Sequence, residues 1–217
     1  MQLTLIGMSG VGKSHWSKKM EALGYRRYSC DELIADRLGT ELGKKGKATL
    51  NLAKWMGQPY SEGYQDAEAL YLELEKEVIT QICEELEHGS QKDKPVVVDT
   101  TGSLIYLEET LLKRLRKLTR TVLLNLPVNK QEELFETYLQ DPKPVIWNGK
   151  YLPCEGETPQ KSLSRCYRDL LSFRNKHYTL MSDFQLDYSF HHNLGTTVED
   201  LLELLGSSLK QDRKSVV

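Results

Sequence analysis

Eight consecutive residues, Gly7, Met8, Ser9, Gly10, Val11, Gly12, Lys13 and Ser14, spell Gly-x-x-x-x-Gly-Lys-Ser with every fixed position filled. The chemistry that needs this spacing is the binding of a phosphate chain. Glycines let a short loop curl until its N–H groups converge on phosphate oxygens, and a following helix adds positive partial charge at its N-terminus. An ammonium in the place of Lys13 reaches the β- and γ-phosphates and is the first catalytic candidate. A hydroxyl in the place of Ser14 suits a Mg²⁺ ion. The ligands predicted are therefore ATP and Mg²⁺.

Two further features carry charge to useful places. Asp99 follows the apolar run Val96-Val97-Val98. An acid at the end of such a strand is a candidate Mg²⁺ ligand, directly or through water, with a turn cap as the bland alternative. Asp141 to Gln160 is rich in Pro and Gly, as a mobile loop would be. It fits a lid that excludes water from phosphates, with Lys143 and Lys150 as cations and Trp147 and Tyr151 as shields. The bland alternative is a solvated surface loop. His15, Arg165, Arg168 and the Lys113–Lys117 stretch read as surface helix residues.

These groups need a scaffold, and the hydrophobic pattern supplies one. Strands are predicted at Leu3–Ile6, Tyr25–Ser29, Val96–Val98, Val122–Leu126 and Phe184–Phe190. Helices are predicted between them. The longest runs from Ser61 to Glu87, with Leu70, Leu74, Val78 and Ile82 recurring every fourth residue. Others span Lys13–Leu23, Ile105–Leu118, a segment capped by Asn129 through Leu139, and Ser162–Met181. A last helix, Val198–Leu209, starts from the box-like Thr196-x-x-Glu199. Gly43–Lys47 reads as a flexible basic connector. Strands alternating with helices imply an α/β layer fold with a parallel sheet of five strands.

The bulk numbers narrow the partners. The chain has 217 residues, is 39% hydrophobic and carries a net charge of −2. That suits one core and offers no strong field for nucleic acid or an anionic membrane. No stretch is long and apolar enough to span a bilayer. Cys30, Cys83, Cys154 and Cys166 are widely spread, without zinc or redox spacing. Reduced thiols and a cytoplasmic location are expected, and a monomer.

With these residues in view, the chain resembles the shikimate kinase family, within the P-loop nucleoside monophosphate kinase-like fold. The segment Ser29-Cys30-Asp31-Glu32-Leu33-Ile34 is similar to one that carries two aspartates two apart, then an isoleucine. Asp31 matches the second aspartate, which implies a base and a contact to acceptor hydroxyls; an N-cap is its rival role. Ser29 stands in place of the first. Gly63-Tyr64-Gln65-Asp66-Ala67-Glu68 is similar to the family's substrate helix, with Gln65 where an arginine grips a carboxylate. Asp99-Thr100-Thr101-Gly102-Ser103 keeps one of three successive glycines, Gly102. Lys143-Pro144 resembles the Arg-Pro of the family's lid, and Arg174 matches an arginine that contacts substrate or phosphate.

The resemblance implies a three-layer α/β/α P-loop NTPase fold with a central, mostly parallel five-stranded sheet. Residues 1–217 form a single domain with a helical insertion at about 40–87 and a lid at about 128–161. It implies transfer of the γ-phosphoryl of ATP to a small hydroxyl acceptor. Lys13, Asp31 and Arg174 would be catalytic; Asp31, Gln65, Gly102 and Lys143 would bind the acceptor; Ser14 and Asp99 would hold the metal. A glutamine cannot replace the bidentate clamp of an arginine, so the acceptor expected is other than shikimate. The loss of two glycines also predicts side chains intruding where backbone approached substrate. Two alternatives are a non-catalytic nucleotide-binding relative and a GTPase-like switch. The switch would use Asp99-x-x-Gly102 and Asn129-Lys130, but Glu132 stands where that class has Asp.

Overall fold

The chain is described by a computed structural model over residues 1–39, 48–89, 94–140 and 145–212. Five strands form one sheet: β1 (Gln2–Ile6), β2 (Arg26–Ser29), β3 (Val96–Asp99), β4 (Arg120–Leu124) and β5 (Phe184–Leu186). Their spatial order is β2-β3-β1-β4-β5. Every pairing is parallel, not merely most of them. The three central strands are apolar almost throughout because helices cover both faces of a parallel sheet.

The helices are α1 (Lys13–Ala22), α2 (Cys30–Leu38), α3 (Ala48–Met56), α4 (Tyr64–His88), α5 (Glu109–Leu118), α6 (Gln131–Gln140), α7 (Pro159–Met181), α8 (Tyr188–His191) and α9 (Val198–Asp212). The buried stripe of α4 is Tyr71, Glu75, Val78, Ile79 and Ile82. Val78 and Ile82 of the predicted stripe belong to it, whereas Leu70 and Leu74 are only half-buried. Tyr71 and Glu75 take the core positions in the first half of the helix, so hydropathy alone misplaced the face there.

Other boundaries differ for local reasons. Phe184–Phe190 is not one strand: pairing stops at Leu186, and Asp187 precedes the short α8. Residues 104–106 form a separate 3-10 turn before α5 rather than its first turn. Val128–Lys130 form another before α6, so Asn129 lies inside that turn and caps no helix. The box that starts α9 is Thr197 with Asp200. Asp200 Oδ2 accepts from Thr197 N at 2.8 Å, and Thr197 Oγ1 accepts from Asp200 N at 3.1 Å. Asp serves as well as Glu in this reciprocal cap.

Register places the functional loops. Leu5 and Ser29 both lie opposite Asp99. The chain leaving β1, β2 and β3 therefore emerges at one level on the carboxyl edge of the sheet, where ligands of open α/β sheets bind.

Candidate active site

Residues 7–14 leave β1 and turn into α1. Gly7, Gly10 and Gly12 have φ of 141°, 84° and 106°. A Cβ on Gly7 would lie 2.9 Å from the Leu124 carbonyl oxygen, so β4 leaves no room for a side chain there. Lys13 is 7% exposed, and its ammonium donates to Gly7 O at 2.9 Å and Met8 O at 2.8 Å. Burial lowers its pKa, opposed by Asp99 and Asp31. Lys13 thus closes the loop on itself with a cation held at its centre. Met8 and Val11 are buried beneath the loop, while Ser9, Gly10, Gly12 and Ser14 face a cavity of about 260 Å³.

Asp31, Thr100 and Gly102 complete the lining of that cavity. Asp31 is the second residue of α2, whose N-cap is Ser29, so Asp31 caps nothing. Its Oδ1 accepts from the Tyr71 hydroxyl at 2.8 Å. Burial raises its pKa, and the Tyr71 bond and Lys13 pull it back. A basic carboxylate beside a phosphate-binding lysine is the arrangement that proton abstraction from a hydroxyl requires.

The turn after β3 corrects an expectation. Thr101 and Ser103 do not intrude on the cavity: both are 3% exposed, and their hydroxyls point to Glu75 of α4. Gly102 alone faces the cavity from this pair of positions and itself. A Cβ there would sit 3.1 Å from Arg174 Nη1 and 3.3 Å from Ser9 N. Glycine is retained where two structures close on the backbone.

Arg174 of α7 is 3% exposed. It donates to the Ile146 carbonyl, and its Nε has no partner among the described residues. It forms no ion pair with a described carboxylate. Burial depresses its pKa, but the surrounding Tyr178, Tyr106 and Tyr167 outweigh this and the net shift is upward. A buried guanidinium without a carboxylate partner is costly and favours an anion arriving beside it.

Two predicted site residues are placed elsewhere. Gln65 is exposed on the first turn of α4 and does not line the cavity. The buried residue there is its neighbour Tyr64, which donates to Glu68 at 2.6 Å and Val145 O at 2.9 Å. Asp99 is 3% exposed and lies behind the cavity wall. Its Oδ2 accepts from Ser17 at 3.0 Å, with Arg27 at 3.8 Å. Ser14 lines the cavity and Asp99 does not. Lys143 lies outside the described residues, as does the Gly43–Lys47 connector.

Val145-Ile146-Trp147 is not an open loop. Trp147 is 1% exposed, and Glu68 Oε1 accepts from Trp147 N at 2.6 Å and Asn148 N at 2.8 Å. Three apolar residues in a row were the signal for this anchoring. The anchoring residues Tyr71, Glu75 and Glu68 were missed, although a glutamate at helical spacing from buried positions is itself a clue. A second cavity of about 280 Å³ adjoins the first, sharing Gly12 and His15, with Trp16, His191 and His192 in its wall. His15 lines both cavities rather than only a helix surface.

The loop, the parallel sheet and the cavity at its carboxyl edge define a P-loop α/β phosphate-binding protein. Residues 3–126, more than half of the chain, match the AAA domain family, and the chain belongs to it. The fold is similar to that of shikimate kinase from Acinetobacter baumannii in complex with shikimate. That likeness has 21% identity, a TM-score of 0.61, and coverage of 97% of this chain and 93% of that one. Shikimate kinase from Aquifex aeolicus aligns at 20% identity and TM-score 0.56, over 96% and 99% of the two chains. The enzyme from Bacteroides thetaiotaomicron aligns at 18% and 0.60, over 95% and 98%. No curated protein matches the chain. Among the described residues, no helix is long and apolar enough to cross a membrane.

Proposed function

We propose that this protein is an ATP-dependent kinase that moves the γ-phosphoryl group of ATP to a hydroxyl of a small acceptor other than shikimate. One observation carries the reading: Lys13 and Asp31 line the same cavity of about 260 Å³. A loop that only binds nucleotide needs the lysine but has no use for a carboxylate with raised pKa in the same cavity.

The residues present fit a triphosphate. The glycine conformations of the loop leave a cradle without side chains, and Ser14 opens onto it. Mg²⁺ held by the Ser14 hydroxyl would neutralise charge on the β- and γ-oxygens. In the transfer step, Asp31 accepts the proton of the acceptor hydroxyl as its oxygen attacks the γ-phosphorus. The bond from that phosphorus to the bridging oxygen of ADP breaks, and ADP leaves. Lys13 turns from the loop carbonyls to the transferring oxygens, and Arg174 supplies positive charge from behind Gly102. Catalysis is then mostly positioning and charge neutralisation. The exposed place of Gln65 supports an acceptor other than shikimate, because no arginine lines the described cavity wall.

The test is ATP consumption, with product detection, across polyols, sugars, nucleosides and shikimate. An acceptor that raises turnover well above slow hydrolysis, with loss of that turnover in Asp31→Asn, supports the reading. No response to any acceptor, together with tight ATP binding, returns the protein to the class of non-catalytic nucleotide binders.

A further inference from the structure

We infer that Tyr71 and Glu75, one turn apart on α4, are positioning residues that hold α2 and the turn after β3 in register where both line the acceptor cavity. The inference rests on the phosphoryl-transfer reading above. Both side chains are buried, at 2% and 0% exposure. Residues four apart on a helix share a face, so one rigid turn presents both groups inward.

They reach different elements of the cavity lining. The Tyr71 hydroxyl donates to Asp31 Oδ1 at 2.8 Å and fixes the carboxylate on α2. Glu75 Oε2 accepts from Ser103 Oγ at 2.6 Å, and Oε1 accepts from Thr101 Oγ1. Thr101 Oγ1 in turn accepts from Ser103 N at 3.1 Å. The residues flanking Gly102 are thus pinned by one carboxyl group, and Gly102 is left as the point that meets the cavity.

The device has a cost that a merely structural contact would not justify. Burying a carboxyl group is unfavourable unless its oxygens are hydrogen-bonded, and an apolar residue packs there more cheaply. What the pair supplies is placement. Gly102 sits where a Cβ would crowd both Arg174 and Ser9 N, so a shift of the turn disturbs the guanidinium and the phosphate loop together. Neither Tyr71 nor Glu75 lines the cavity, so neither touches a reactant. Their loss should lower kcat and leave the KM for ATP nearly unchanged.

The experiment compares Y71F, E75Q, E75L and the double variant T101V/S103A. It measures Mg·ATP affinity by calorimetry, amide exchange over residues 99–104 by mass spectrometry, and turnover with the acceptor found by the screen. In E75L and T101V/S103A, exchange at the turn should rise about tenfold or more. In the same variants kcat should fall about tenfold or more with ATP affinity within about threefold. E75Q, whose amide can still pair with both hydroxyls, should recover most of the kcat. Y71F should lower kcat while leaving exchange at the turn as in the parent. The inference is overturned if E75L or T101V/S103A folds and turns over like the parent, if E75Q does no better than E75L, or if affinity falls in step with kcat. Should E75L fail to fold, T101V/S103A removes the same bonds from the other side. If the parent protein shows no turnover with any acceptor, the kinase reading fails by itself. Unchanged exchange at the turn in the double variant would then separately overturn the positioning role.

Discussion

The hydroxyl of Tyr178 donates to the carbonyl oxygen of Gly102 at 2.6 Å, tying α7 to the turn that follows β3. Arg174, one turn earlier on α7, closes on the same glycine. Helix α7 therefore brings a structural bond and a guanidinium without a described carboxylate partner to one point of the cavity wall.

Substituting Gly102 tests how tight that point is. In Gly102→Ala the new methyl crowds Arg174 Nη1 and the backbone N of Ser9. Overpacking of this kind costs about 1–3 kcal/mol. We expect a lower Tm in a thermal melt and, because Ser9 belongs to the phosphate loop, weaker Mg·ATP binding in calorimetry. An unchanged affinity would show that the loop yields without consequence.

Arg174→Lys keeps the charge and removes the planar fork. Removing a donor aimed at developing charge typically costs 10²–10³ in kcat, and we expect a loss of about that order. Nucleotide affinity should change by less than about fivefold, since Arg174 lies behind Gly102 rather than in the loop. Steady-state kinetics with a matched binding measurement separates the two.

Lys13→Met should abolish measurable nucleotide binding, weakening it by about 100-fold or more, because charge-assisted bonds to phosphate are lost. Its far-UV circular dichroism should match the parent's. Any acceptor-dependent turnover should vanish with binding.

Stability should carry the signature of Glu75. Burial pushes its pKa up to about 7, against the hydrogen bonds from Ser103 and Thr101 and with the help of Asp31. A carboxyl whose pKa is raised on folding contributes full stability below the unfolded value of about 4.5 and loses it as pH rises through about 7. The difference corresponds to roughly 3 kcal/mol. Denaturant titrations of the parent should show this decline between about pH 5 and 8. The difference between the parent and E75Q isolates it, because Asp31 and Lys13 titrate in both. A constant difference across that range would contradict the assignment.

Glu68 latches the 145–148 segment by accepting from two of its N–H groups and from Tyr64. Glu68→Ala removes the acceptor of Asn148 N and one of two for Trp147 N, which keeps the Tyr64 hydroxyl, at a cost of about 0.5–1.5 kcal/mol. Trp147 emission should move to the red as its ring gains water, and trypsin should cut faster at Lys150. If neither changes, burial of the apolar residues alone holds the segment.

The phosphate loop, the order of strands and helices, and the parallel sheet were legible in the residues themselves. Those features depend on local spacing: glycines that permit unusual φ, and apolar runs whose period matches one element. The candidate base Asp31 and the buried Arg174 were legible through resemblance to a family with the same loop. What tertiary structure decided was the direction in which side chains point. Thr101 and Ser103 turn away from the cavity because Glu75, 26 and 28 residues earlier, is buried behind them. Gln65 stays in water because Tyr64 takes the inward place on α4. Asp99 accepts from Ser17 with Arg27 nearby, rather than lining the cavity. Each outcome hangs on a partner distant in sequence. A burying partner changes both the orientation and the charge of a polar group, and no local pattern records which partner that will be.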